Sequence, residues 1–243
     1  MLYYTIKLNQ VLLEFTSKEN LCRIKNMRVF GTDYDGVIIN IEPQKARAFG
    51  VLLNKHWGVN KDEAAQFWIE TGGKPRRYKF EYFYNKQFKE KLNDEKYQKI
   101  EKEYSHLLKD KFYPSLKLLP HALQILQYAR SHYDFLFVSS GVPMQEIQYL
   151  VKLNGVSEYF NLILGTDKTY SSKREHFQKI ITDQKPDLIV YIADGLEDMK
   201  IAKEFKAISV GIPTNHSKKK LFDAGAVHVC SLSEVIPLLE RLS

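Results

Sequence analysis

Short apolar runs alternate with segments of helical periodicity in the second half of the chain. Six runs have the length of buried strands: Met27 to Thr32, Phe135 to Val138, Leu162 to Leu164, Leu188 to Ala193, Ala207 to Ile212 and Val227 to Cys230. Met144 to Leu153 and Leu196 to Phe205 fill two of the gaps with helical patterns. Strands that alternate with helices form parallel sheets. The pattern therefore predicts a doubly wound α/β fold.

The stretch 41–119 has a different pattern and contains no comparable apolar run. Ala46, Phe49, Leu53 and Trp57 follow the spacing of an amphipathic helix. Further helices are predicted at Asp62 to Glu70, Tyr78 to Leu92 and Asp94 to Lys109. We therefore predict a helical cap at 41–119, inserted into an α/β core formed by 27–40 and 120–243, with an N-terminal extension at 1–26.

The composition narrows the class of protein. The chain is 44% hydrophobic and 27% charged, and no apolar stretch approaches the ~20 residues that a membrane helix needs. We therefore expect no contact with a membrane. The apolar piece Val11-Leu12-Leu13 is interrupted by Glu14 and lacks the cleavage pattern of a secretory signal peptide. The two cysteines, Cys22 and Cys230, are far apart in the sequence. We expect a cytoplasmic protein with ordinary thiols, without a disulfide framework or a zinc site.

The net charge of +7 raises the question of nucleic-acid binding. The basic residues are interleaved with acids, as in Lys86 to Lys102, and such a mixture is typical of solvated helix faces. We expect no nucleic-acid partner. A positive surface also attracts a small phosphorylated substrate.

Several chemically reactive side chains follow predicted strands or begin the next helix. They are Asp33, Asp35, Ser139, Lys173, Asp194 and Asp198. Parallel sheets bind ligands at the carboxyl edge of their strands, so these residues can converge there.

Lys173 is in an unusual position for a cation. Ser172 and Glu175 have the spacing of a capping box, which predicts that Lys173 lies in the first turn of a helix. The helix macrodipole disfavours a positive charge at that end. A bound anion or nearby aspartates would remove the conflict.

Four segments together resemble the motifs of the haloacid dehalogenase superfamily of phosphohydrolases. They are Asp33-Tyr34-Asp35-Gly36-Val37, Phe135-Leu136-Phe137-Val138-Ser139, Lys173, and Asp194-Gly195-Leu196-Glu197-Asp198. The helical insert resembles the cap of the phosphoglycolate phosphatase and β-phosphoglucomutase branch. The resemblance implies a Rossmann-like core and a phosphatase that acts on a small phosphorylated metabolite.

The resemblance also implies roles for individual residues. Asp33 would be the nucleophile, which needs no deprotonation at neutral pH, and Asp35 the general acid and then base. Ser139 would donate to a phosphate oxygen, together with main-chain N–H groups near Ser140 and Gly141. Lys173 would balance the phosphate charge. A Mg²⁺ ion would be held by the Asp33 carboxylate, the Asp35 carbonyl and Asp194, with Asp198 orienting this shell.

Each motif also has a plainer interpretation. Asp33 and Asp35 are also typical turn residues beside a glycine, and Asp194 and Asp198 are also typical of a helix start. Ser139 could end a strand, in which case Ser140 replaces it. Lys173 could be surface charge, in which case Lys168 is the next candidate. These four substitute interpretations are left open by the sequence.

The segment 71–77 is the candidate for substrate selection. It joins two glycines to three cations, and Arg76 and Arg77 could reach a second anionic group of the substrate. A basic connection between helices, with no ligand, fits the same residues equally well.

Other functions remain compatible with the sequence. A phosphomutase would use the same groups to pass phosphate to a sugar. A dehalogenase would need neither Asp35 nor a metal. A noncatalytic binding module would use the basic surface alone.

Overall fold

The computed structural model describes residues 26–72 and 74–242. The predicted N-terminal extension falls outside these residues, except for Asn26. A six-stranded parallel sheet forms the core, with the strand order β3-β2-β1-β4-β5-β6. The strands are β1 Arg28–Thr32, β2 Phe135–Pro143, β3 Leu162–Thr166, β4 Leu188–Ala193, β5 Ile208–Gly211 and β6 His228–Val229. The predicted doubly wound α/β fold is confirmed.

Helices cover both faces of the sheet. The core helices are α5 Ala122–His132, α6 Met144–Leu153, α7 Lys173–Gln184, α8 Leu196–Glu204, α9 Lys218–Asp223 and α10 Leu232–Leu242. One apolar layer contains Phe137 and Tyr191, whose rings stack 6.0 Å apart across β1, and Phe177 of α7 packs against both. Gly31 lies between these strands, where a Cβ atom would stand 2.3 Å from the Phe137 ring. The central strand therefore needs a residue without a side chain at this point.

The predicted helical insert is present as four helices. They are α1 Glu42–Trp57, α2 Lys61–Glu70, α3 Arg76–Phe88 and α4 Asp94–Leu107, followed by a π-helical turn at Leu108–Phe112 and a 3-10 turn at Tyr113–Ser115. Asn60 and Asn93 cap α2 and α4 with their side chains. The rings of Trp68 and Phe80 lie 5.1 and 5.0 Å from that of Phe49. Aromatic packing thus holds the cap helices together.

The two connections between core and cap run side by side. Ile39 pairs with Leu118 in an antiparallel bridge, and the Leu119 N–H donates to the Ile38 carbonyl over 2.8 Å. The same turn brings the Gly36 N–H to the Ile39 carbonyl at 2.7 Å. The cap is therefore joined to the core next to the Asp35 loop. The exact domain boundaries stay a prediction.

Two elements differ from the sequence prediction in a way that matters for the site. Strand β2 continues past Val138, so Ser139 and Ser140 belong to it. Helix α3 begins at Arg76, so Arg76 and Arg77 lie in its first turn and not in the preceding loop. Pro75 is the residue before that helix, where its fixed φ suits a helix start. Across residues 26–72 and 74–242, no helix is both long and apolar enough to span a bilayer.

Candidate active site

Asp33 and Lys173 form a buried ion pair at the carboxyl edge of the sheet. Asp33 follows β1 directly, and its N–H donates to the Ile192 carbonyl over 2.8 Å. Its Oδ1 accepts from the Tyr34 N–H at 2.6 Å, and its Oδ2 accepts from Lys173 Nζ at 2.8 Å. The two side chains are only 9% and 15% exposed. Both oxygens of this carboxylate are therefore oriented by the protein.

Lys173 has a second carboxylate partner. Its Nζ donates to Asp198 Oδ1 at 2.6 Å, and the Tyr191 hydroxyl donates to the same oxygen at 2.8 Å. Burial alone would lower the pKa of Lys173, but Asp198 and Asp33 outweigh it and raise that pKa. The predicted capping box of Ser172 and Glu175 is present, and Lys173 is the first residue of α7. The two aspartates thus compensate the cation at the helix start.

Burial dominates the ionisation of Asp33. It raises the pKa of this carboxyl to about 7, against the opposing charge of Lys173, and Asp198 and Asp35 add smaller increases. Asp33 is therefore a carboxylate whose charge depends on the cations around it.

Asp35 faces the cap. Its Oδ1 accepts from the Ile41 N–H at 3.0 Å, and its Oδ2 accepts from Lys45 Nζ at 2.9 Å. Lys45 lies on α1 with a side chain that is 8% exposed, and it also binds Glu42 Oε1 at 2.8 Å. Burial raises the pKa of Asp35, and Lys45 opposes that rise. The cap thus supplies a cation to the carboxylate that the sequence assigns to acid and base catalysis.

Asp194 lies against the turn that follows Asp33. A Cβ atom at Gly36 would stand 2.2 Å from Asp194 Oδ2, and Gly36 has a φ of +75°. Asn215 Nδ2 donates to the same oxygen at 2.6 Å, and Thr214 Oγ1 donates to the Gly36 carbonyl at 2.7 Å. Burial, followed by repulsion from Asp33 and Asp35, raises the pKa of Asp194 to about 8. The acidic groups that follow β1 and β4 therefore influence one another.

Ser139 is completely buried, and its Oγ lies 2.8 Å from His176 Nδ1. Ser140 is also buried, and its Oγ accepts from the Val142 N–H at 3.4 Å. Gly141 is exposed, and its carbonyl accepts from Thr166 Oγ1 at 3.5 Å. The three residues predicted to bind phosphate therefore lie in the second half of β2, and the Ser139 hydroxyl is within hydrogen-bond distance of a histidine of α7.

The two predicted substrate-binding arginines have protein partners. Arg76 donates twice to Glu146 of α6, at 2.7 and 2.8 Å. Arg77 is half exposed and pairs with Glu81 and Asp94. Neither contacts the aspartates of the core, and their role in substrate binding stays a prediction.

Sequence reasoning missed several residues that complete the site: Lys45, His176, Tyr191, Thr214 and Asn215. The i,i+3 pair of Glu42 and Lys45 was readable from spacing, as was the position of His176 one turn after Lys173. The contacts of Thr214 and Asn215 had no local signal, because they depend on a loop that follows a different strand. Lys168, the substitute for Lys173, is exposed.

The donor set suits a hard divalent cation. In the part of the chain that the structure describes, no three side chains of His, Cys, Asp or Glu are grouped to hold a metal ion. Mg²⁺ needs fewer than three such side chains, because it keeps several water ligands and is often bound by one or two carboxylates. Asp33 and Asp194 offer such oxygens, and burial, with repulsion between the acidic groups, raises the pKa of both carboxyls, an effect that a bound cation would oppose. Asp33 and Asp194 therefore fit Mg²⁺, and the Asp35 carbonyl stays a predicted ligand.

The family model for haloacid dehalogenase-like hydrolases matches residues 32–212. This match confirms the family resemblance drawn from the four motifs, and with it the prediction of a hydrolase. A comparison with curated protein sequences gave no match.

Solved structures of the same fold were also found. A predicted phosphoglycolate phosphatase from Haemophilus somnus has a TM-score of 0.75 at 14% identity, over 89% of this chain and 99% of that chain. A candidate β-phosphoglucomutase from Thermotoga maritima has a TM-score of 0.70 at 19% identity, over 89% and 100%. A hydrolase from Deinococcus radiodurans, whose structure holds phosphate and sodium, has a TM-score of 0.66 at 14% identity, over 89% and 95%. At sequence identities this low, the structural matches show similarity of fold alone.

Proposed function

We propose that this chain, which belongs to the haloacid dehalogenase-like hydrolase family, is a Mg²⁺-dependent phosphatase that hydrolyses a small phosphomonoester through an aspartyl phosphate at Asp33. The observation that carries the proposal is Lys173, buried between Asp33 and Asp198 at 2.8 and 2.6 Å. Such a cation favours the ionised form of a buried carboxylate against the effect of burial and can neutralise a phosphoryl group that approaches it. The phosphatases among the similar structures support the substrate class.

Asp33 attacks phosphorus with one carboxylate oxygen. A bond forms between that oxygen and phosphorus, and the bond between phosphorus and the ester oxygen breaks. The Tyr34 N–H and Lys173 fix the direction of the carboxylate, so little reorganisation is needed at the moment of attack.

Asp35 handles the proton in both half-reactions. It gives its proton to the departing ester oxygen, and it then accepts a proton from the water that attacks the aspartyl phosphate. The second attack releases inorganic phosphate and restores Asp33. Lys45 and the Ile41 N–H hold the Asp35 carboxylate on the cap side of the turn.

Bound Mg²⁺ would supply positive charge against the phosphate oxygens during both transfers. Asp33, Asp194 and the Asp35 carbonyl would hold it. Asn215 orients Asp194, and Asp198 acts through Lys173. Ser140 and Gly141 are proposed to offer main-chain N–H groups to the phosphate.

A phosphomutase is the second candidate, favoured by the structural similarity to the Thermotoga maritima protein. In that case Asp35 would accept a proton from a sugar hydroxyl instead of water. Incubation with a hexose phosphate and a catalytic amount of the bisphosphate distinguishes the two, because a mutase yields an isomer and no net phosphate. We also predict a cytoplasmic location, which fractionation of the native cell would test.

A screen of phosphorylated metabolites with and without MgCl₂ tests the proposal. We expect phosphate release from at least one compound, and we expect Asp33→Asn to lower kcat by roughly a thousandfold or more. Asp183→Asn is the matched control, since Asp183 is an exposed acid that pairs with Lys179 on its own helix. Comparable turnover by Asp33→Asn would refute the nucleophile.

A further inference from the structure

His176 connects the helix that carries Lys173 to strand β2. The register of β1 and β2 pairs Thr32 with Val138, so Asp33, directly after β1, and Ser139, within β2, each follow a residue of the last pair. Lys173 and His176 are one turn apart on α7, and they reach Asp33 and Ser139 respectively. Helix α7 therefore contacts both the residue after β1 and a residue of β2.

The hydrogen bonds of His176 define the direction of the Ser139 hydroxyl. Nε2 lies 3.0 Å from the Gly165 carbonyl, which can only accept, so the ring proton is on Nε2. In a neutral ring Nδ1 is then bare and accepts. The Ser139 hydroxyl, 2.8 Å away, must donate its only proton to Nδ1. Ser139 is left with lone pairs, which repel a phosphate oxygen.

We propose that His176 is a positioning residue that decides whether Ser139 offers its lone pairs or its proton to the phosphoryl group. A protonated ring would donate from Nδ1 to Ser139 Oγ, and the hydroxyl proton would be free to bind a phosphate oxygen. The inference rests on the proposed function, because it needs a phosphoryl group next to Ser139. It assigns the proposed reaction a residue outside the four motifs.

The surroundings of His176 keep the ring neutral in the free protein. Burial lowers its pKa, and Lys173 on the same helix lowers it further. The Gly165 carbonyl, Glu175 on the same helix and Asp167 in the loop before it oppose this effect. Tyr170 packs its ring 6.0 Å from His176, and from the sheet side Tyr191 directs its hydroxyl toward the Ser139 carbonyl at 3.5 Å. A bound dianion would add negative charge on the Ser139 side.

The proposal predicts reciprocal coupling between anion binding and ring protonation. If protonation of the ring raises the affinity for a dianion by some factor, the bound dianion must raise the affinity of the ring for its proton by the same factor. The pKa of the ring then rises by the logarithm of that factor. One charge-assisted hydrogen bond is worth about tenfold in affinity, which corresponds to about one pKa unit. A structural histidine that only ties α7 to the sheet would show no such coupling.

Nitrogen-15 NMR of the full chain measures the coupling directly. Sulfate is the probe, in constant MgCl₂, because its charge does not change between about pH 5 and pH 8, where histidine titrates. We expect the Nε2–H tautomer without sulfate and an upward shift of about one unit in the His176 pKa with it. We expect no sulfate-linked shift in Ser139→Ala.

His176→Asn provides a second test by sulfate titration. An asparagine oxygen can accept from Ser139 but cannot be protonated, so this variant should keep the weak binding of the neutral ring at every pH in the range. The Nδ1–H tautomer, or an unchanged His176 pKa in wild-type protein that binds sulfate, would overturn the inference alone. Wild-type protein that neither binds sulfate nor releases phosphate from any ester would instead overturn the proposed function, and the inference with it.

Discussion

Arg76 on cap helix α3 and Glu146 on core helix α6 form a two-fold hydrogen-bonded ion pair at 2.7 and 2.8 Å. The side chains are 14% and 10% exposed, and the Tyr113 hydroxyl also donates to Glu146. The Arg76 guanidinium lies 5.3 Å from the centre of the Tyr104 ring. This pair is therefore a buried link between cap and core.

Glu146→Gln should destabilise the protein in a pH-dependent way. The variant removes the nearer of two carboxylates from the buried Arg76, which keeps Glu101 at 3.3 Å, and breaking this buried pair costs roughly 3–5 kcal/mol. Burial opposes ionisation of Glu146, but Arg76 outweighs it and lowers the pKa below the ordinary 4.5. A depressed folded pKa contributes stability above 4.5 that is lost as the pH falls through the folded value. The difference in unfolding free energy should thus be largest near neutral pH and shrink in acid.

Urea unfolding of both proteins from neutral to acidic pH measures this difference. Glu240→Gln, at an exposed position on α10, is the control and should change stability little at any pH. A deficit for Glu146→Gln that stays constant into acid would contradict the assigned ion pair.

Substitution of the two arginines predicted to bind substrate, Arg76 and Arg77, should change the stability of the protein to different extents. Arg77→Ala removes a half-exposed side chain whose partners are at the surface, and we expect little change in stability. Arg76→Ala leaves Glu146 unpaired and should destabilise by roughly 3–5 kcal/mol. Hydrolysis of the metabolite panel then tests the binding prediction. Unchanged KM and selectivity in Arg77→Ala would end its role as a substrate contact.

The sequence was sufficient for the architecture because local patterns carry it. All six strands were readable as apolar runs, and the run Leu188 to Ala193 matches β4 residue for residue. The capping box at Ser172 likewise needs only four consecutive residues. Contacts between distant segments were not readable in this way. Glu146 and Arg76 are 70 residues apart, and nothing in either segment indicates the other.

Contacts between distant segments also limit how much of the candidate site can be predicted from the sequence. Asp33 and Lys173 were predicted as site residues, but the donation of Ser139 to a histidine, and of Asn215 to Asp194, requires the fold itself. The surface loop that was expected to contain Arg76 is instead a helix start, which directly follows Pro75. Side-chain partners depend on tertiary packing, which spacing alone does not encode.

Lys45→Met should move the pH profile of the reaction. Asp35 acts as an acid in the first transfer, so kcat/KM falls as the pH rises through the Asp35 pKa. Lys45 lowers that pKa against the effect of burial. Without the cation the pKa rises further, and the descending limb should move to higher pH. Lys55→Met is the control, since Lys55 is 65% exposed on the same helix. A descending limb at the same pH in Lys45→Met and wild type would show that Lys45 does not set the pKa of the catalytic Asp35.

Asp194→Asn should weaken the response to Mg²⁺. The variant removes a charged oxygen ligand while it keeps the size of the side chain. We expect the Mg²⁺ concentration for half-maximal activity to rise at least about tenfold. Asp223→Asn, at an exposed position on α9, should leave this concentration unchanged. Equal Mg²⁺ dependence in all three proteins would remove Asp194 from the proposed ligand set.

Gly36→Ala and Gly58→Ala form a matched pair, because both glycines have a positive φ, at +75° and +68°. The Gly58 substitution meets nothing within 4 Å and should cost only backbone strain, about 1 kcal/mol. At Gly36 the new Cβ would stand 2.2 Å from Asp194 Oδ2, so the same strain is joined by a clash with the proposed metal ligand. We expect Gly36→Ala to lose Mg²⁺-dependent hydrolysis and Gly58→Ala to retain it. Thermal unfolding separates strain from catalysis, and activity that survives in Gly36→Ala would show that Asp194 does not need its observed position.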